Sequence, residues 1–464
     1  MAHSVGDADA LCARVSQIPW HRLTGNSVSH SHGSLEMLSA RSFGSLALLV
    51  AIGATAQAQD DPALVARARK IHAKALKIDT HVDFAPAQMT GPSPNYATGI
   101  PRNQVDLPKM EQDGLDAVFF SIYVGQRQDF SDTGYARAKA TDREKFEAMR
   151  ALVDKLAPER IDLAYTAADV RRIHKAGQKV ALMGVENGYG IGTDITNVRK
   201  FFDLGARYLS LAHNGHNQLS DSNTGEGDGV WKWNGLSPLG RQVVEEANRL
   251  GIMMDISHPS KASNLQVMAM SRAPVIASHS GVRALCNHSR NLDDEQLLAL
   301  KKNGGVVQLV AFNGYVKTPT PDSPERAAAV VELRRQFGFG AGQGGARRTA
   351  GTQPNDSAFA AYRLKLAELD AKFPPSPRAT VSDFVDHIDY VVKVIGIEHA
   401  GISSDFDGGG GIVGFNNASE SFNVTLELVR RGYGEKDIIA MWGGNLLRVM
   451  EQAEKVAKQI QAGR

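Results

Sequence analysis

The sequence predicts an α/β protein built as a (β/α)8 barrel of the TIM type, and three observations support this fold class. Eight short apolar runs alternate with segments of helical pattern. The runs are mostly continuous rather than alternating, which is typical of parallel strands covered on both faces. The 464 residues suffice for one barrel with an insertion. The predicted strands are residues 76–84, 115–124, 180–187, 206–214, 251–258, 274–280, 304–312 and 399–407.

Helical patterns with charged faces fill the intervals between the predicted strands. Residues 142–157, 237–251 and 293–305 are three such segments. In the last of them Asp293 is a suitable N-cap and Gly304 a suitable end. Alternation of strands with helices of this length favours a parallel sheet that closes into a barrel.

The connection between the seventh and eighth predicted strands is longer than one barrel helix requires. A long inserted segment, about residues 317–380, precedes the helix predicted by the pattern FVDHIDYVVKVIG at 384–396. One interpretation is a surface insertion that the barrel tolerates. The other is a lid or a dimer contact near the active-site face, where the loops after barrel strands open. The sequence leaves both interpretations open, and a homodimer is among the expectations.

The N-terminal segment predicts export of the protein. An apolar run at 43–56 follows Arg41 and precedes small residues in an A-x-A pattern, as in a secretory signal peptide. Residues 37–58 form a well-proportioned signal, so residues 1–36 are expected to be a non-native or disordered extension and 59–464 the barrel. A cytoplasmic extension with an anchoring helix is the alternative. The expected location is periplasmic or secreted, with no membrane span after cleavage.

Composition and charge exclude several classes of protein. The 52 basic and 50 acidic residues leave a net charge of +2 without a long basic run, so nucleic acid is not an expected partner. Two cysteines cannot form a disulfide framework or a cysteine-based zinc cluster. A metal site would have to use histidine, aspartate and glutamate, and the chain has 14 histidines.

Residue types that bind metals stand at the C-terminal ends of six predicted strands. His81 and Asp83 are two positions apart, so in an extended strand their side chains face the same way and can share one ion. In a barrel these strand ends meet in one pocket, where burying several histidines and acids without a cation would be costly. A divalent metal site is therefore predicted. The residues are His81, Asp83, Glu186, His213, His258, His279 and Asp405.

The number of these side chains favours two metal ions, because a single zinc ion with an open position needs fewer ligands. Glu186 suits a bridge between two ions that share a water, which makes hydroxide available at neutral pH while one ion polarises a carbonyl. Asp405 is placed to orient that water and to carry its proton to the leaving amine, and His213 to stabilise the oxyanion. The predicted chemistry is hydrolysis of an amide or an ester. The side chains assigned to the metals are His81, Asp83, Glu186, His258 and His279.

Short stretches spread from about residue 70 to 455 have the order and spacing of a known family. They are IDTHVD (78–83), GVENG (184–188), RYLSLAHN (207–214), residues 234–258 ending in DISH, PVIASHS (274–280), SRN (289–291), SSDFDG (403–408) and GNLLRV (444–449). In these stretches the chain resembles the membrane (renal-type) dipeptidase family of metal-dependent amidohydrolase-like barrels. The resemblance implies a zinc-dependent dipeptidase that cleaves dipeptides by attack of a hydroxide bridging two Zn²⁺ ions. It implies that His81 and Asp83 bind one zinc ion, that His258 and His279 bind the other, and that Glu186 bridges them.

The resemblance also implies roles for side chains around the metals. His213 would contact the substrate, Arg290 would bind its terminal carboxylate, and Asp405 would be the catalytic aspartate. Arg283 is a rival for the role of Arg290. Asp407 is expected to point the same way as Asp405 and to support it.

Several other residues carry weaker expectations. An aromatic side chain that the family uses near the end of the seventh strand is either Phe312 or Tyr315. His216 and His288 are close to the pocket in sequence but lack a ligand pattern. Three further histidines stand in helical patterns and are expected at the surface: His72, His174 and His387.

Two other functions fit the sequence less well. A different amidohydrolase-type metal hydrolase, acting on cyclic amides, lactones or phosphotriesters, would be favoured by a lysine at a strand end that could be carboxylated and bridge metals. Glu186 fills that position instead. A non-catalytic metal-binding barrel would be favoured by loss of Asp405 or of a ligand, and none is missing.

Overall fold

The computed structural model describes residues 61–337 and 356–464 of the chain. All described residues belong to one compact unit. The predicted N-terminal extension (1–36) and signal peptide (37–58) lie outside the described residues. Within the described part of the chain, no helix combines the length and the apolar composition that crossing a membrane requires.

Eight parallel strands form the barrel, in chain order around the sheet. A ninth strand, β3, pairs with the first residues of β4 and lies off this path. Contacts between β1 and the end of the last strand close the barrel, since Val82 pairs with Phe406 and the Asp83 amide donates to the Phe406 carbonyl over 2.9 Å. The strands are β1 (Ile78–Val82), β2 (Ala117–Tyr123), β3 (Ile161–Leu163), β4 (Lys179–Glu186), β5 (Ala206–Ser210), β6 (Met253–Asp255), β7 (Ile276–Ser280), β8 (Val306–Val310) and β9 (Ala400–Ser403).

The predicted fold class is confirmed, and each of the eight predicted strands overlaps one barrel strand. Every position of β1, β5, β7 and β8 is buried. This explains why the runs are continuous in sequence, because both faces of a parallel barrel strand are covered. The strand β3 was not predicted, since it has only three residues and one of them is the charged Asp162.

Helices surround the barrel, and most begin with a side chain that caps the first turn. Asp293 accepts a hydrogen bond from the Gln296 amide and Gly304 ends the helix in a left-handed conformation, as the sequence predicts. The helices are α1 (Pro62–Lys74), α2 (Pro86–Thr90), α3 (Leu107–Glu111), α4 (Asp132–Ala151), α5 (Ala167–Lys175), α6 (Thr196–Leu204), α7 (Gly225–Asp228), α8 (Pro238–Leu250), α9 (Lys261–Met270), α10 (Asp294–Asn303), α11 (Asn313–Val316), α12 (Pro324–Gln336), α13 (Asp356–Lys372), α14 (Val381–Ile395), α15 (Phe422–Arg430), α16 (Glu435–Ile439) and α17 (Asn445–Gln461).

The long connection between β8 and β9 carries two extra helices before the barrel helix α14. Helices α12 and α13 are joined by Arg326, which donates to the Asp370 carboxylate over 2.8 Å and to the Phe373 carbonyl over 2.7 Å. The two ends of the insertion meet, because the Thr320 amide donates to the Ser376 hydroxyl over 3.0 Å. Residues close to the start and the end of the insertion are therefore hydrogen-bonded to each other.

Two of the three histidines expected at the surface are buried, so that expectation was wrong for His72 and His387. One ring nitrogen of His72 lies 3.0 Å from the Asp113 carbonyl, and the other lies 2.7 Å from the Thr425 hydroxyl. His387 accepts from the Val282 amide over 2.9 Å and lies 2.9 Å from a second carbonyl oxygen. Helical periodicity places both residues on helices but does not show that distant backbone groups need their ring nitrogens.

Candidate active site

Side chains from six barrel strands meet at one end of the barrel. His81 lies within β1, Glu186 ends β4 and His279 lies within β7. The other four residues stand in the loops directly after β1, β5, β6 and β9, which turn inward at this end of the sheet: Asp83, His213, His258 and Asp405. The structure thus brings together all seven of the strand-end residues that the sequence singles out.

Glu186 lies at the centre of this cluster and faces four histidines. Its Oε1 atom lies 3.0 Å from His258 Nε2, 3.6 Å from His279 Nε2 and 3.6 Å from His213 Nε2. Its other oxygen, Oε2, lies 3.4 Å from His81 Nε2. The two oxygens therefore lie near different histidines, as a carboxylate shared between two cations would require.

Two further carboxylates, those of Asp83 and Asp405, lie near His81. His81 Nε2 lies 3.9 Å from Asp83 Oδ2 and 4.0 Å from Asp405 Oδ1. Three overlapping groups of side chains in the described residues bring their ligand atoms within 4.8 Å of one another. These groups are His81 with Glu186 and His279, Glu186 with His213 and His258, and His81 with Asp83 and Asp405.

The outer nitrogen of each of three rings has its own oxygen partner. His81 Nδ1 lies 2.9 Å from the Tyr208 hydroxyl. His258 Nδ1 lies 3.2 Å from Asn214 Oδ1, and His279 Nδ1 lies 2.8 Å from Ser278 Oγ. Ser278 in turn donates to Asp255 Oδ2 over 2.6 Å. Such partners fix the tautomer and the direction of a metal-binding ring.

This hydrogen bonding leaves the inner nitrogens of His258 and His279 as acceptors that face each other. Their Nε2 atoms are 3.0 Å apart and both point at the Glu186 carboxylate. Two lone pairs and a carboxylate repel one another unless a cation lies between them. His81 Nε2 is also buried and has no hydrogen-bond partner. The donor set therefore fits divalent cations.

The pKa shifts within the cluster also favour the binding of cations. Burial works against a charge on His81, but Glu186, Asp405 and Asp83 outweigh it and raise the pKa of this ring to about 10. Burial lowers the pKa of both His258 and His279, so these rings are neutral. Burial opposes ionisation of Glu186, yet the surrounding rings hold its pKa well below the usual range. The carboxylates thus favour positive charge in the pocket, and the neutral rings have the form that binds metals.

The two carboxylates after β9 have different tasks. Burial raises the pKa of Asp405 well above its usual range, and the neighbouring Asp83 raises it further. Both Asp405 and Asp407 have a left-handed backbone, with φ of 59° and 61°. The extended geometry that would align them is therefore absent at these two residues, and the expectation that Asp407 points the same way was wrong. Asp407 instead accepts hydrogen bonds from the Gln104 and Val105 amides over 2.9 and 3.1 Å.

Glycine is required directly after this turn. A Cβ atom on Gly408 would lie 2.3 Å from Asp405 Oδ1 and 2.4 Å from Asp83 Oδ2. Since a real side chain cannot approach so closely, the loop passes the pocket at Gly408 only because no side chain is there. The glycine-rich run that follows is tied down, as the Gly411 amide donates to the Ala311 carbonyl over 2.7 Å.

The two candidate arginines lie in different environments. Arg290 is buried, donates to the His279 carbonyl over 3.1 Å and lies 5.4 Å from the centre of the Tyr315 ring. Its Nε has no hydrogen-bond partner, and no carboxylate of the described residues lies within ion-pair distance of it. Arg283 is already paired with Glu226 through two hydrogen bonds of 2.9 and 2.7 Å.

Aromatic rings line the remaining wall of the pocket. The Tyr123 ring lies 4.8 Å from the His213 ring. Phe312 and Tyr315 stack on each other with centres 4.2 Å apart, and Tyr315 is the one that lies against Arg290. Burial lowers the pKa of His213 to about 4, so this ring is a neutral hydrogen-bond donor or acceptor at neutral pH.

Sequence reasoning missed several side chains that hold the cluster in place. Tyr208 lies inside one of the motif stretches, but its role depends on contact with His81 across the barrel. Ser121 donates to Glu186 Oε2 over 3.1 Å, and Lys145 lies 3.9 Å from Asp83 Oδ1. Tyr123 could have been identified from strand register, because β2 pairs with β4 and Tyr123 stands opposite Glu186. No pattern in the sequence distinguishes Lys145 from the other charged residues of α4.

Comparison with known proteins places the chain in a family. The model of the membrane dipeptidase family (peptidase family M19) matches residues 65–464. The chain belongs to the membrane dipeptidase family. Dipeptidase aclJ of Aspergillus oryzae (strain ATCC 42149 / RIB 40) is 30% identical over 361 residues, which cover 77% of this chain and 72% of the relative. Dipeptidase verJ of Clonostachys rogersoniana is 30% identical over 411 residues, covering 85% and 89%.

A solved structure agrees with this membership. The probable dipeptidase PvdM from Pseudomonas aeruginosa is 31% identical, with a TM-score of 0.68, and the match covers 85% of this chain and 99% of that one. The resemblance found in the sequence is thus confirmed, and membership of the membrane dipeptidase family makes the chain a metallo-dipeptidase. The metal dependence of the family agrees with the buried cluster of histidines and carboxylates.

Proposed function

We propose that the chain is a zinc-dependent dipeptidase with two Zn²⁺ ions in the barrel pocket. His81 and Asp83 would hold one ion, His258 and His279 the other, and Glu186 would bridge them. One observation carries the proposal: His258 and His279 point acceptor nitrogens at each other over 3.0 Å beside the Glu186 carboxylate. Imidazole and carboxylate are ligands that zinc accepts.

The chemistry of such a pair of ions is general. When bound, two such ions would supply an activated water at neutral pH and would polarise the peptide carbonyl. Asp405 would take the proton that the water loses when it attacks the carbonyl carbon. It would then deliver this proton to the amine nitrogen as the C–N bond breaks, so that two amino acids leave. Burial and the neighbouring Asp83 raise the pKa of Asp405, which strengthens this carboxylate as a proton acceptor.

His213 and Arg290 would position the dipeptide. The neutral ring of His213 can donate a hydrogen bond to the oxygen that becomes negative during attack. Arg290 would bind the C-terminal carboxylate, and its buried guanidinium without a carboxylate partner among the described residues supports this. Arg283 is the weaker candidate because Glu226 already neutralises it.

The leader and the oligomer remain part of the proposal. Residues 37–58 would direct export to the periplasm or the medium, and sequencing the N-terminus of the secreted protein tests this cleavage. A homodimer formed through the 317–380 segment would appear as twice the monomer mass in sedimentation. Deleting that segment would then return the protein to a monomer.

A panel of small substrates tests the activity. The mature protein should hydrolyse unblocked dipeptides, lose this activity with a chelator and regain it with Zn²⁺. Metal analysis should give two ions per chain. Dipeptides with an amidated C-terminus should be poor substrates. Equal activity on esters, lactones or phosphotriesters would support the broader amidohydrolase alternative, and no hydrolysis at all would support a non-catalytic metal-binding barrel.

The two arginines provide a matched pair of variants for the carboxylate site. Arg290→Met should lower kcat/KM for dipeptides by roughly 10- to 100-fold, since a charged hydrogen bond contributes about 1.5–3 kcal/mol. Arg283→Met should change it little. If Arg283→Met had the larger effect, the assignment of the carboxylate site would be reversed.

A further inference from the structure

A buried lysine lies on the outer side of the metal-binding cluster. Lys145 belongs to α4, the helix that follows β2, and its side chain is only 9% exposed. Its ammonium group donates to the Ser121 carbonyl over 3.0 Å and lies 4.8 Å from the centre of the Phe84 ring. Buried lysines are rare unless they are paired with a specific partner.

Asp83 presents its two oxygens to different partners. Oδ1 lies 3.9 Å from Lys145 Nζ, whereas Oδ2 lies 3.9 Å from His81 Nε2 and faces Gly408. One oxygen is thus turned towards the metal-binding cluster and the other towards the lysine. A carboxylate held in this way can offer one oxygen to a cation while the other stays on the ammonium group.

The same lysine is connected to Glu186 through one intervening residue. Ser121 receives the Lys145 hydrogen bond on its carbonyl and donates from its hydroxyl to Glu186 Oε2 over 3.1 Å. Ser121 lies in β2, directly beneath α4, so Lys145 contacts the strand that supports the bridging carboxylate. Lys145 therefore lies beside one candidate ligand, Asp83, and is linked through Ser121 to a second, Glu186.

A second carboxylate near Lys145 belongs to the same helix and has no hydrogen-bond partner. Asp142 lies one turn earlier on α4, is fully buried, and neither of its carboxylate oxygens has a hydrogen-bond partner. Burial raises the pKa of Asp142 well above the usual range, against the opposing effect of Lys145. The carboxylate that lies within ion-pair distance of Lys145 is that of Asp83, at 3.9 Å.

We propose that Lys145 is a positioning residue for the metal centre, which holds Asp83 so that only Oδ2 is offered to a cation. This inference rests on the proposed two-zinc site and adds a specific residue to it. A positioning role and a simple charge effect predict opposite changes in metal affinity when Lys145 is replaced. Removing a positive charge close to a cation site would by itself strengthen metal binding, whereas freeing Asp83 from its fixed orientation weakens it.

Zinc titration of the metal-free mature protein tests the proposal. In Lys145→Met the affinity for one of the two ions should fall roughly 10- to 100-fold, the range typical for loss of a group that orients a ligand. The other ion should bind within about twofold of the original affinity. Loading with Co²⁺ should show the same asymmetry, with changed visible absorption from one ion only. Lys145→Arg keeps the charge and the donors and should recover most of the lost affinity.

A control variant on the same helix isolates the effect. Lys139→Met removes the same side chain six residues earlier, about 240° around α4, and should bind both ions like the original protein. If Lys145→Met does not fold, Lys145→Gln replaces it with the same expected loss. Unchanged or tighter binding overturns the proposal, as does equal weakening at both ions together with a lower Tm of the metal-free protein. Failure of the proposed function itself would already appear in the unaltered protein, as fewer than two ions or no dipeptide hydrolysis.

Discussion

At the scale of single residues, the direction of each imidazole decides what the pocket can bind. Tyr208, Asn214 and Ser278 engage the Nδ1 atoms of the three rings from outside the cluster. The Nε2 atoms are therefore directed inward at fixed positions. Histidine alone would not give this result, because either nitrogen of a neutral ring can carry the proton.

Asp405 should be required for turnover but not for holding metal. We expect Asp405→Asn to retain both ions and to lose roughly 10²- to 10⁴-fold in kcat, because an amide cannot transfer the proton. Metal content and steady-state kinetics on the same preparation test this. A variant that kept most of its activity would contradict the role proposed for Asp405.

His72 should make the fold sensitive to acid. Burial lowers its pKa to about 4 from 6.5, so the unfolded chain binds a proton more readily than the folded one. Its contribution is fully present above pH 6.5 and is lost as the pH falls towards 4, at a cost of about 3 kcal/mol. His72→Gln, which does not titrate, should reduce the loss of unfolding free energy between pH 7 and pH 4 by about this amount. Denaturant unfolding at both pH values measures it, and an unchanged pH dependence would contradict it.

At the scale of secondary structure, the strands position the site by how closely they pack. Gly184 in β4 lies against the ring of Tyr208 in β5, and a Cβ atom there would be 2.0 Å from the ring carbon that bears the hydroxyl. The absent side chain therefore makes room for the tyrosine that orients His81. This gives the glycine of the GVENG stretch a packing role that is distinct from the ligand role proposed for Glu186.

Gly184→Ala should damage both the fold and the metal site. The added methyl group must displace the Tyr208 ring, and overpacking of this kind costs typically 1–3 kcal/mol. We expect a lower Tm of the metal-free protein and weaker zinc binding. Gly227→Ala is a suitable control, since its Cβ would meet nothing within 4 Å. Equal behaviour of the two variants would show that Tyr208 does not depend on Gly184.

The insertion between β8 and β9 should be dispensable for folding. Its two ends meet at Thr320 and Ser376, so replacing residues 321–375 by a short glycine–serine linker leaves the barrel contacts in place. We expect such a protein to fold and to bind metal normally. A changed KM in the shortened protein would favour a lid, and unchanged kinetics would favour a tolerated surface insertion. Loss of the folded state would contradict the expectation.

At the scale of the whole molecule, the proposed metal site contains residues from the first and the last strand of the barrel. His81 and Asp83 come from the first barrel strand and Asp405 follows the last, and these strands meet where Asp83 donates to Phe406. Ions held between them would stabilise the closed barrel, because ligands that bind only the folded chain lower its free energy.

Chelation should therefore lower the stability of the entire protein. A single ion at 100 times its Kd stabilises the folded state by about 2.7 kcal/mol. We expect the Tm to fall on chelation and to rise again with added Zn²⁺, as measured by calorimetry. Glu186→Gln should abolish most of this response, since it weakens the proposed bridge. A Tm that does not change with chelator or with added Zn²⁺ would contradict metal binding at this site.

The sequence predicts most of the barrel because burial of parallel strands leaves a continuous apolar signature. The short strand β3 was not predicted, since three residues carry little pattern. The burial of His72 and His387 was not predicted, because helical periodicity alone did not reveal it. The direction of the Asp407 side chain was predicted wrongly because its left-handed backbone ends the alternation of an extended strand.

The sequence by itself determined the barrel, the family and the seven polar residues at the strand ends, because these depend on residue type and order along the chain. Only the tertiary structure decided which atoms face one another. It pairs Arg283 with Glu226 and leaves Arg290 without a carboxylate among the described residues, and it brings Lys145 to Asp83. The physical reason is that electrostatic and hydrogen-bonding contacts depend on distance in space, and residues far apart in the chain become neighbours only when the barrel closes.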